Sequence, residues 1–253
     1  MPYEWILATD IDRTLTGSPP ALARLSRSLQ KLRTDGALYL ILSTGRRLEQ
    51  ILEGFKAEGI PMGDAIISQV GTEIYLPPFS QDTHPLPAWD ELLHSQFSRQ
   101  KALEFIEGIQ GLQIQPEPFN TSLKVSCYLD QTPDPGRATG LIRQRIQKAG
   151  LASSYRVVWS SGKDLDIIPA AGGKGNAIRY LIHATGLNGI NVIVAGDSGN
   201  DLSMFTEFSH GIIVSNAQPE LKELASPKRP SIYLAGEPYA AGVEQGLQHF
   251  GVL

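Results

Sequence analysis

The 253-residue chain carries 22 basic and 26 acidic side chains, a net charge of −4 and a pI near 5.8, so it has no basic surplus for nucleic acid or an anionic membrane. With 42% hydrophobic and 19% charged residues its composition is that of a globular protein, long enough for one large domain or two small ones. A single cysteine, Cys127, excludes an intrachain disulfide and a cysteine-built zinc cluster; buried-hydrophobe behaviour is the expectation for it.

The chain opens on an apolar run, Trp5 to Thr9, that ends in two carboxylates one residue apart, Asp10 and Asp12, followed by Thr14. Its length suits a buried strand, and the Thr16–Pro20 stretch breaks it. Leu22, Leu25, Leu29 and Leu32 recur at helical spacing before Gly36. A second buried run, Ala37 to Leu42, ends in Ser43-Thr44-Gly45-Arg46. Leu48, Ile51, Leu52 and Phe55 mark another amphipathic helix, Ala65-Ile66-Ile67 a third strand, and Gly71 to Tyr75 a hairpin return. This alternation predicts a right-handed parallel α/β unit.

From Pro77 the texture changes. Prolines punctuate a linker, and then come a helical stretch (Trp89 to Gly108), an alternating strand (Leu123 to Leu129), a helix (Arg137 to Ala149) and two strands (Tyr155 to Trp159, Leu165 to Ile168). The segment is too long for a loop. It reads as an α+β domain, residues 78–172, inserted into an α/β core formed by 1–77 and 173–253. The parallel pattern resumes with a helix from Lys174 and the strand Asn191 to Ala195, which opens into Gly196-Asp197-Ser198-Gly199-Asn200-Asp201. His210 to Val214 and Ile232 to Leu234 give further strands, with short helices after each. No apolar stretch approaches the roughly 20 residues of a spanning helix and no basic leader is seen, so a cytoplasmic protein is expected.

In an open parallel sheet, ligands bind beyond the carboxyl ends of the strands. Asp10, Asp12, Asp197 and Asp201 all follow apolar strands, and their mutual repulsion calls for a cation. An all-oxygen site suits Mg²⁺. One such Asp is as readily a helix or turn cap, but capping explains the set of four poorly. Lys174 opens a helix, where a lysine is unfavourable unless an anion is held there, and Thr44 offers a strand-end hydroxyl. A carboxylate nucleophile, a second carboxylate, a metal, a hydroxyl and a lysine are what phosphoryl transfer through an aspartyl-phosphate requires. Gly172-Gly173-Lys174-Gly175 lacks the leading Gly and trailing Ser/Thr of a Walker loop.

Asp10-Ile11-Asp12-Arg13-Thr14, Ser43-Thr44-Gly45-Arg46, Lys174 and Gly196 to Asp201 resemble, in order, the four motifs of the haloacid dehalogenase superfamily. The insert lies where members with a C2-type cap carry theirs. Val70 to Tyr75, Ser160 to Asp166, Lys174-Gly175-Asn176-Ala177 and Val214 to Leu221 further resemble sucrose-phosphate phosphatases. The resemblance implies a Rossmann-like parallel-sheet core and an inserted cap that sets substrate specificity. It makes Asp10 the nucleophile and Asp12 the acid that protonates the leaving sugar oxygen and then activates water. Mg²⁺ would be held by Asp10, the backbone carbonyl of Asp12 and Asp197, with Asn200 and Asp201 supporting. Thr44, Gly45 and Lys174 would bind the phosphoryl group. Sucrose would be gripped between core and cap, with Lys124, Lys163, Arg46, Glu73, Asp164 and Asn176 as candidate contacts. Arg13 departs from the small or polar residue often found in the first motif, and its role is left open.

The expectation is a Mg²⁺-dependent phosphatase that hydrolyses sucrose 6-phosphate. Alternatives are a mannosylglycerate-phosphate or general sugar-phosphate phosphatase, a phosphomutase, and a non-catalytic phosphosugar sensor or partner of a sugar-phosphate synthase. Without the extra C-terminal domain of plant relatives, a monomer is expected, with a small-molecule sugar phosphate as its partner and association with a sucrose-phosphate synthase as a further one.

Overall fold

Parallel strands buried on both faces read as unbroken apolar runs, and every residue of the strand Leu38–Ser43 is buried. In the computed structural model, residues 3–160, 162–226 and 229–253 are described, so Ser161 of the Ser160–Asp166 motif lies outside them. In chain order the elements begin β1 (Trp5–Thr9), α1 (Pro19–Thr34), β2 (Leu38–Ser43), α2 (Leu48–Ala57), β3 (Ala65–Ser68) and β4 (Glu73–Tyr75). Next come α3 (Pro87–His94), α4 (Arg99–Glu104), β5 (Gln113–Ile114), β6 (Val125–Tyr128), α5 (Pro135–Lys148), β7 (Tyr155–Ser160) and β8 (Asp164–Pro169). The chain closes with α6 (Lys174–Ala184), β9 (Asn191–Gly196), α7 (Leu202–Glu207), β10 (His210–Ile213), α8 (Pro219–Lys222), β11 (Ile232–Leu234) and α9 (Tyr239–His249).

Two compact units result: residues up to Leu86 together with Lys174–Leu253, and Pro87–Gly173. The first holds a seven-stranded sheet in the order β11-β10-β9-β1-β2-β3-β4. It is parallel except for β4, which returns antiparallel on β3. Strand order reverses between β1 and β9, and at that switch point Thr9 aligns with Ala195 on one side and Leu42 on the other. The residues that follow β1, β9 and β2 (Asp10, Asp197, Thr44) therefore emerge at one sheet edge, where α/β folds bind ligands. α1 starts on Pro19-Pro20, which suit the first helical turn, and its buried Leu22, Leu25 and Leu29 lie on the face that meets β2 and α9.

The first boundary falls after Leu86, not after Pro77. The Leu86 amide donates to the Ile74 carbonyl at 2.7 Å, and Thr83 Oγ1 donates to the Pro78 carbonyl at 2.9 Å, which ties the proline-rich stretch to β4 and its own turn. In the second unit β5-β6-β8-β7 form an antiparallel sheet. Val125, Cys127, Leu165 and Ile167 pack from one face against Ala102, Phe105, Ala138, Ile142 and Ile146. Burial pushes the Cys127 thiol up to about 12, in keeping with an inert core residue. The Trp89–Gly108 stretch is two helices rather than one: the chain turns after His94, and Ser98 starts α4 by accepting from the Lys101 amide at 3.3 Å.

Candidate active site

Lys174, the first residue of α6, is fully buried, so its charge must be met within the protein. Its Nζ donates to Asp10 Oδ1 and to Asp201 Oδ1, both at 2.6 Å. Asp201 Oδ2 accepts the backbone amides of Asp197 (2.9 Å) and Ser198 (3.0 Å), so Asp201 both receives the lysine and shapes the loop after β9. Gly196 makes this possible, because a Cβ there would lie 2.6 Å from the Asp201 carboxylate. Gly175 similarly lets α6 approach α7: its Cβ would meet the Ser203 carbonyl oxygen at 2.2 Å.

One ammonium thus faces three buried carboxylates. Burial raises Asp10 well above the usual carboxylate range; Lys174 opposes this, and Asp201, Asp197 and Asp12 add to it. Asp197 is pushed up to about 7, by burial first and then by Asp201, against the pull of Lys174 and Arg13. Burial works to lower Lys174, but Asp10 and Asp201 outweigh it and its pKa is raised. The cluster is short of positive charge.

The donor set fits a hard divalent cation. One carboxylate oxygen from each of Asp10, Asp197 and Asp201 lies within 4.8 Å of the others. Asp197 Oδ2 is buried and accepts no hydrogen bond among the described residues. Its contact is an ion pair with Arg13 Nε at 3.3 Å. A buried carboxylate oxygen without a hydrogen bond is costly unless something else takes it up, and an all-oxygen cluster suits Mg²⁺.

The strand end of β2 is held by an unusual turn. Gln69 and Val70 take φ of 51° and 61°, a region that a β-branched residue rarely enters. Their amides donate to the Arg46 and Thr44 carbonyls, both at 3.1 Å, and the Thr44 amide donates to Ile67 at 2.9 Å. Backbone strain of this kind persists where the surroundings enforce it; here it fixes Thr44-Gly45-Arg46. The Arg46 amide in turn donates to Thr44 Oγ1 at 3.1 Å. A Cβ on Gly45 would reach the Asn200 amide nitrogen at 4.0 Å, so the two loops lie side by side.

Arg46 is a bridge. Its Nε and Nη2 donate to Asp12 at 2.8–3.2 Å, and Nη1 and Nη2 donate to Glu58 at 2.5 and 2.9 Å. Glu58, burial and Asp12 act on the guanidinium in that order of strength, and the net effect raises its pKa. Glu73 Oε2 accepts from Ser68 Oγ (2.6 Å) and the Tyr75 hydroxyl (2.9 Å). Asn200 accepts from Ser198 Oγ at 3.3 Å, and Asn176 from Arg179 at 3.4 Å.

Lys124, Lys163 and Asp164 belong to the second unit. Lys124 precedes β6 in a turn closed against Thr121. It is buried, with Nζ 3.8 Å from Asp166 Oδ1, which also accepts from Ser126 Oγ at 2.5 Å. Ser126, Tyr128, Asp164 and Asp166 occupy paired positions on the sheet face opposite the apolar core. Asp164 accepts from Gln115 Nε2 at 3.1 Å, and burial raises its pKa. Lys163 is exposed.

A family model described as sucrose-6F-phosphate phosphohydrolase matches residues 3–251. The chain belongs to that family. It is a phosphoric monoester hydrolase of the haloacid dehalogenase superfamily. The mannosylfructose-phosphate phosphatase of Agrobacterium fabrum strain C58 is 31% identical, over 98% of this chain and 97% of its own. Sucrose-phosphatase 1 of Nicotiana tabacum is 30% identical over 98% of this chain but only 59% of its own length. The sucrose-phosphatase of Synechocystis sp. PCC6803, solved in complex with sucrose and phosphate, superposes with a TM-score of 0.89 at 30% identity, covering 98% of both chains.

Within this phosphohydrolase, several residues that pair with the candidate residues of their own unit were not singled out by the sequence. Glu58 holds Arg46 from the C-terminal end of α2. Asn216 accepts the Tyr239 amide at 2.9 Å and donates to the Arg13 carbonyl at 2.7 Å. Ser126 and Asp166 complete the Lys124 cluster. For Asn216 a signal existed, since it lies inside the Val214–Leu221 stretch that carries the family resemblance. Glu58 had none. Among the described residues no helix is long and apolar enough to cross a membrane.

Proposed function

We propose that this chain is a Mg²⁺-dependent phosphatase that hydrolyses sucrose 6-phosphate to sucrose and phosphate through an aspartyl-phosphate on Asp10. The observation that carries the reading is the buried Asp10–Lys174–Asp201 array beside Asp197, whose buried Oδ2 meets only the Arg13 ion pair among the described residues. Asp10 Oδ1 is held by Lys174, which leaves Oδ2 to attack phosphorus as the bond to the sugar oxygen breaks. Asp12 delivers a proton to that oxygen, then takes one from the water that attacks the aspartyl-phosphate, and phosphate leaves with Asp10 restored. Arg46 occupies the Asp12 carboxylate, so substrate must loosen that pair before Asp12 acts. Thr44, Gly45 and Lys174 bind the phosphoryl oxygens.

Asp10, Asp197 and the Asp12 carbonyl would hold Mg²⁺, with Asp201 and Asn200 behind them. Bound there, it would neutralise charge on the transferring phosphoryl group. Arg46, Glu73 and Asn176 on the first unit, and Lys124, Lys163 and Asp164 on the second, are the sugar contacts in this reading. The second unit acts as a specificity cap. A cytoplasmic monomer fed by a sugar-phosphate synthase completes the reading.

A second reading keeps the chemistry and changes the disaccharide. Near-complete coverage of the Agrobacterium fabrum mannosylfructose-phosphate phosphatase supports it. Phosphate release, with Mg²⁺ and with EDTA, from sucrose 6-phosphate, mannosylfructose phosphate and simple hexose phosphates separates the two. Preference for sucrose 6-phosphate that EDTA abolishes is the expected result. Preference for another disaccharide phosphate, or release unaffected by EDTA, overturns the corresponding part.

A further inference from the structure

Arg13 directly follows Asp12, the second carboxylate of the first motif, with φ of 61°, a left-handed backbone that is unfavourable for a long side chain. Its backbone is held by two hydrogen bonds: Asn216 Nδ2 donates to the Arg13 carbonyl at 2.7 Å, and the Arg13 amide donates to Thr16 Oγ1 at 3.3 Å; its side chain adds a long one, Nη2 donating to the Asn216 carbonyl at 3.5 Å. Asn216 is itself fixed by the Tyr239 amide. The fold thus enforces a strained backbone at a residue whose side chain is 54% exposed, with its guanidinium 3.3 Å from the one buried carboxylate oxygen of Asp197 that accepts no hydrogen bond. Glycine or asparagine would adopt this backbone more easily, so Arg13 stands here against local preference.

We infer that Arg13 is a resident counter-charge for Asp197 that a divalent cation must displace, and so sets the metal affinity of the site. The inference rests on the metal reading given above. A divalent ion needs the oxygen that Arg13 faces, and the guanidinium repels it. The Arg13 backbone is pinned, but its half-exposed side chain can swing into solvent by giving up the Asp197 pair and the 3.5 Å bond to the Asn216 carbonyl, without moving Asp10 or Asp12. Arg13 is accordingly a positioning residue, holding Asp197 in place while no metal is bound.

The test is Mg²⁺ and Mn²⁺ binding to the full-length protein by calorimetry, comparing wild type with Arg13→Ala, Arg13→Gln and Arg13→Lys. Arg13→Ala and Arg13→Gln should bind about two- to fivefold tighter, the range expected for release of one partly exposed ion pair. Arg13→Lys should stay within about threefold of wild type. A variant that merely damages the loop weakens binding, so the sign separates the two cases. Unchanged or weaker binding by Arg13→Ala and Arg13→Gln, with wild type binding normally, overturns the inference and leaves the metal reading intact. No binding by any of the proteins overturns the metal reading, and the inference with it.

Discussion

Lys174 Nζ lies 2.6 Å from Asp10 Oδ1 and equally 2.6 Å from Asp201 Oδ1, with no part of the side chain reaching solvent. A helix-opening lysine is thereby made the cation that lets the Asp10 carboxylate and the loop-shaping Asp201 carboxylate share one buried site. Removing one partner of such an array leaves uncompensated buried charge. Lys174→Met should lower the unfolding free energy by about 3–5 kcal/mol, measured by urea denaturation, and should abolish phosphatase activity even where the variant is folded. Retained stability would mean that the carboxylates take up protons in place of the lysine.

Asp10→Asn keeps the size of the side chain and removes the proposed nucleophile. Turnover should drop below about one thousandth of wild type, while binding of the sugar phosphate, measured by calorimetry, persists. Full activity would refute the covalent route.

Asp10 and Asp197 are both raised, so in the metal-free protein the folded state keeps protons that the unfolded chain has released. Stability therefore falls as pH rises through that interval. For Asp197 the interval runs from 3.8 to about 7. Lys174, raised rather than lowered, contributes equally throughout, because its stabilisation is lost only above about pH 10. Thermal unfolding in EDTA should show the midpoint decreasing from pH 5 to pH 7.5, and added Mg²⁺ should restore more at the higher pH. A midpoint that rises over this range, in EDTA, would contradict the charge balance drawn here.

Much of this site was legible because strand ends advertise themselves. Asp10, Thr44 and Asp197 each close an apolar run, and adjacency of β1, β2 and β9 in the sheet converts three separate signals into one edge. Lys174 was legible as a misfit with the helix dipole. Pairings fixed by side-chain reach across the fold were not. Nothing at Glu58 distinguishes it from a solvated acid near the end of α2, and nothing in the sequence signals that Arg46 pairs with both Asp12 and Glu58. The two-residue β5 is too short for any periodicity, and the break between α3 and α4 depends on Ser98 as a cap within an otherwise helical pattern.

Gly196 is where shape and charge meet. The Cβ of Gly196→Ala would lie 2.6 Å from the Asp201 carboxylate, which has no slack, because it accepts two amides and the Lys174 ammonium. The substitution should cost about 1–3 kcal/mol of stability and reduce kcat more than KM, since it displaces the lysine from Asp10. Equal loss in both parameters would indicate that the loop, rather than the Lys174 contact, was disturbed.

Lys124 tests the recognition assigned to the second unit. It is buried beside Asp166, so Lys124→Ala has two effects that must be separated: loss of the positive contact proposed for the sugar, and a buried Asp166 left with Ser126 alone. Lys124→Ala should raise KM for sucrose 6-phosphate at least about tenfold, the loss expected of a charged hydrogen bond, and leave p-nitrophenyl phosphate hydrolysis unchanged. The double variant Lys124→Met/Asp166→Asn removes both charges together and should recover stability in urea, as replacement of a whole buried pair often does. Its KM for sucrose 6-phosphate should stay high. If KM recovers along with stability, Lys124 only neutralises Asp166. If both substrates suffer equally in Lys124→Ala, the lysine supports the fold of the unit and takes no part in choosing the sugar.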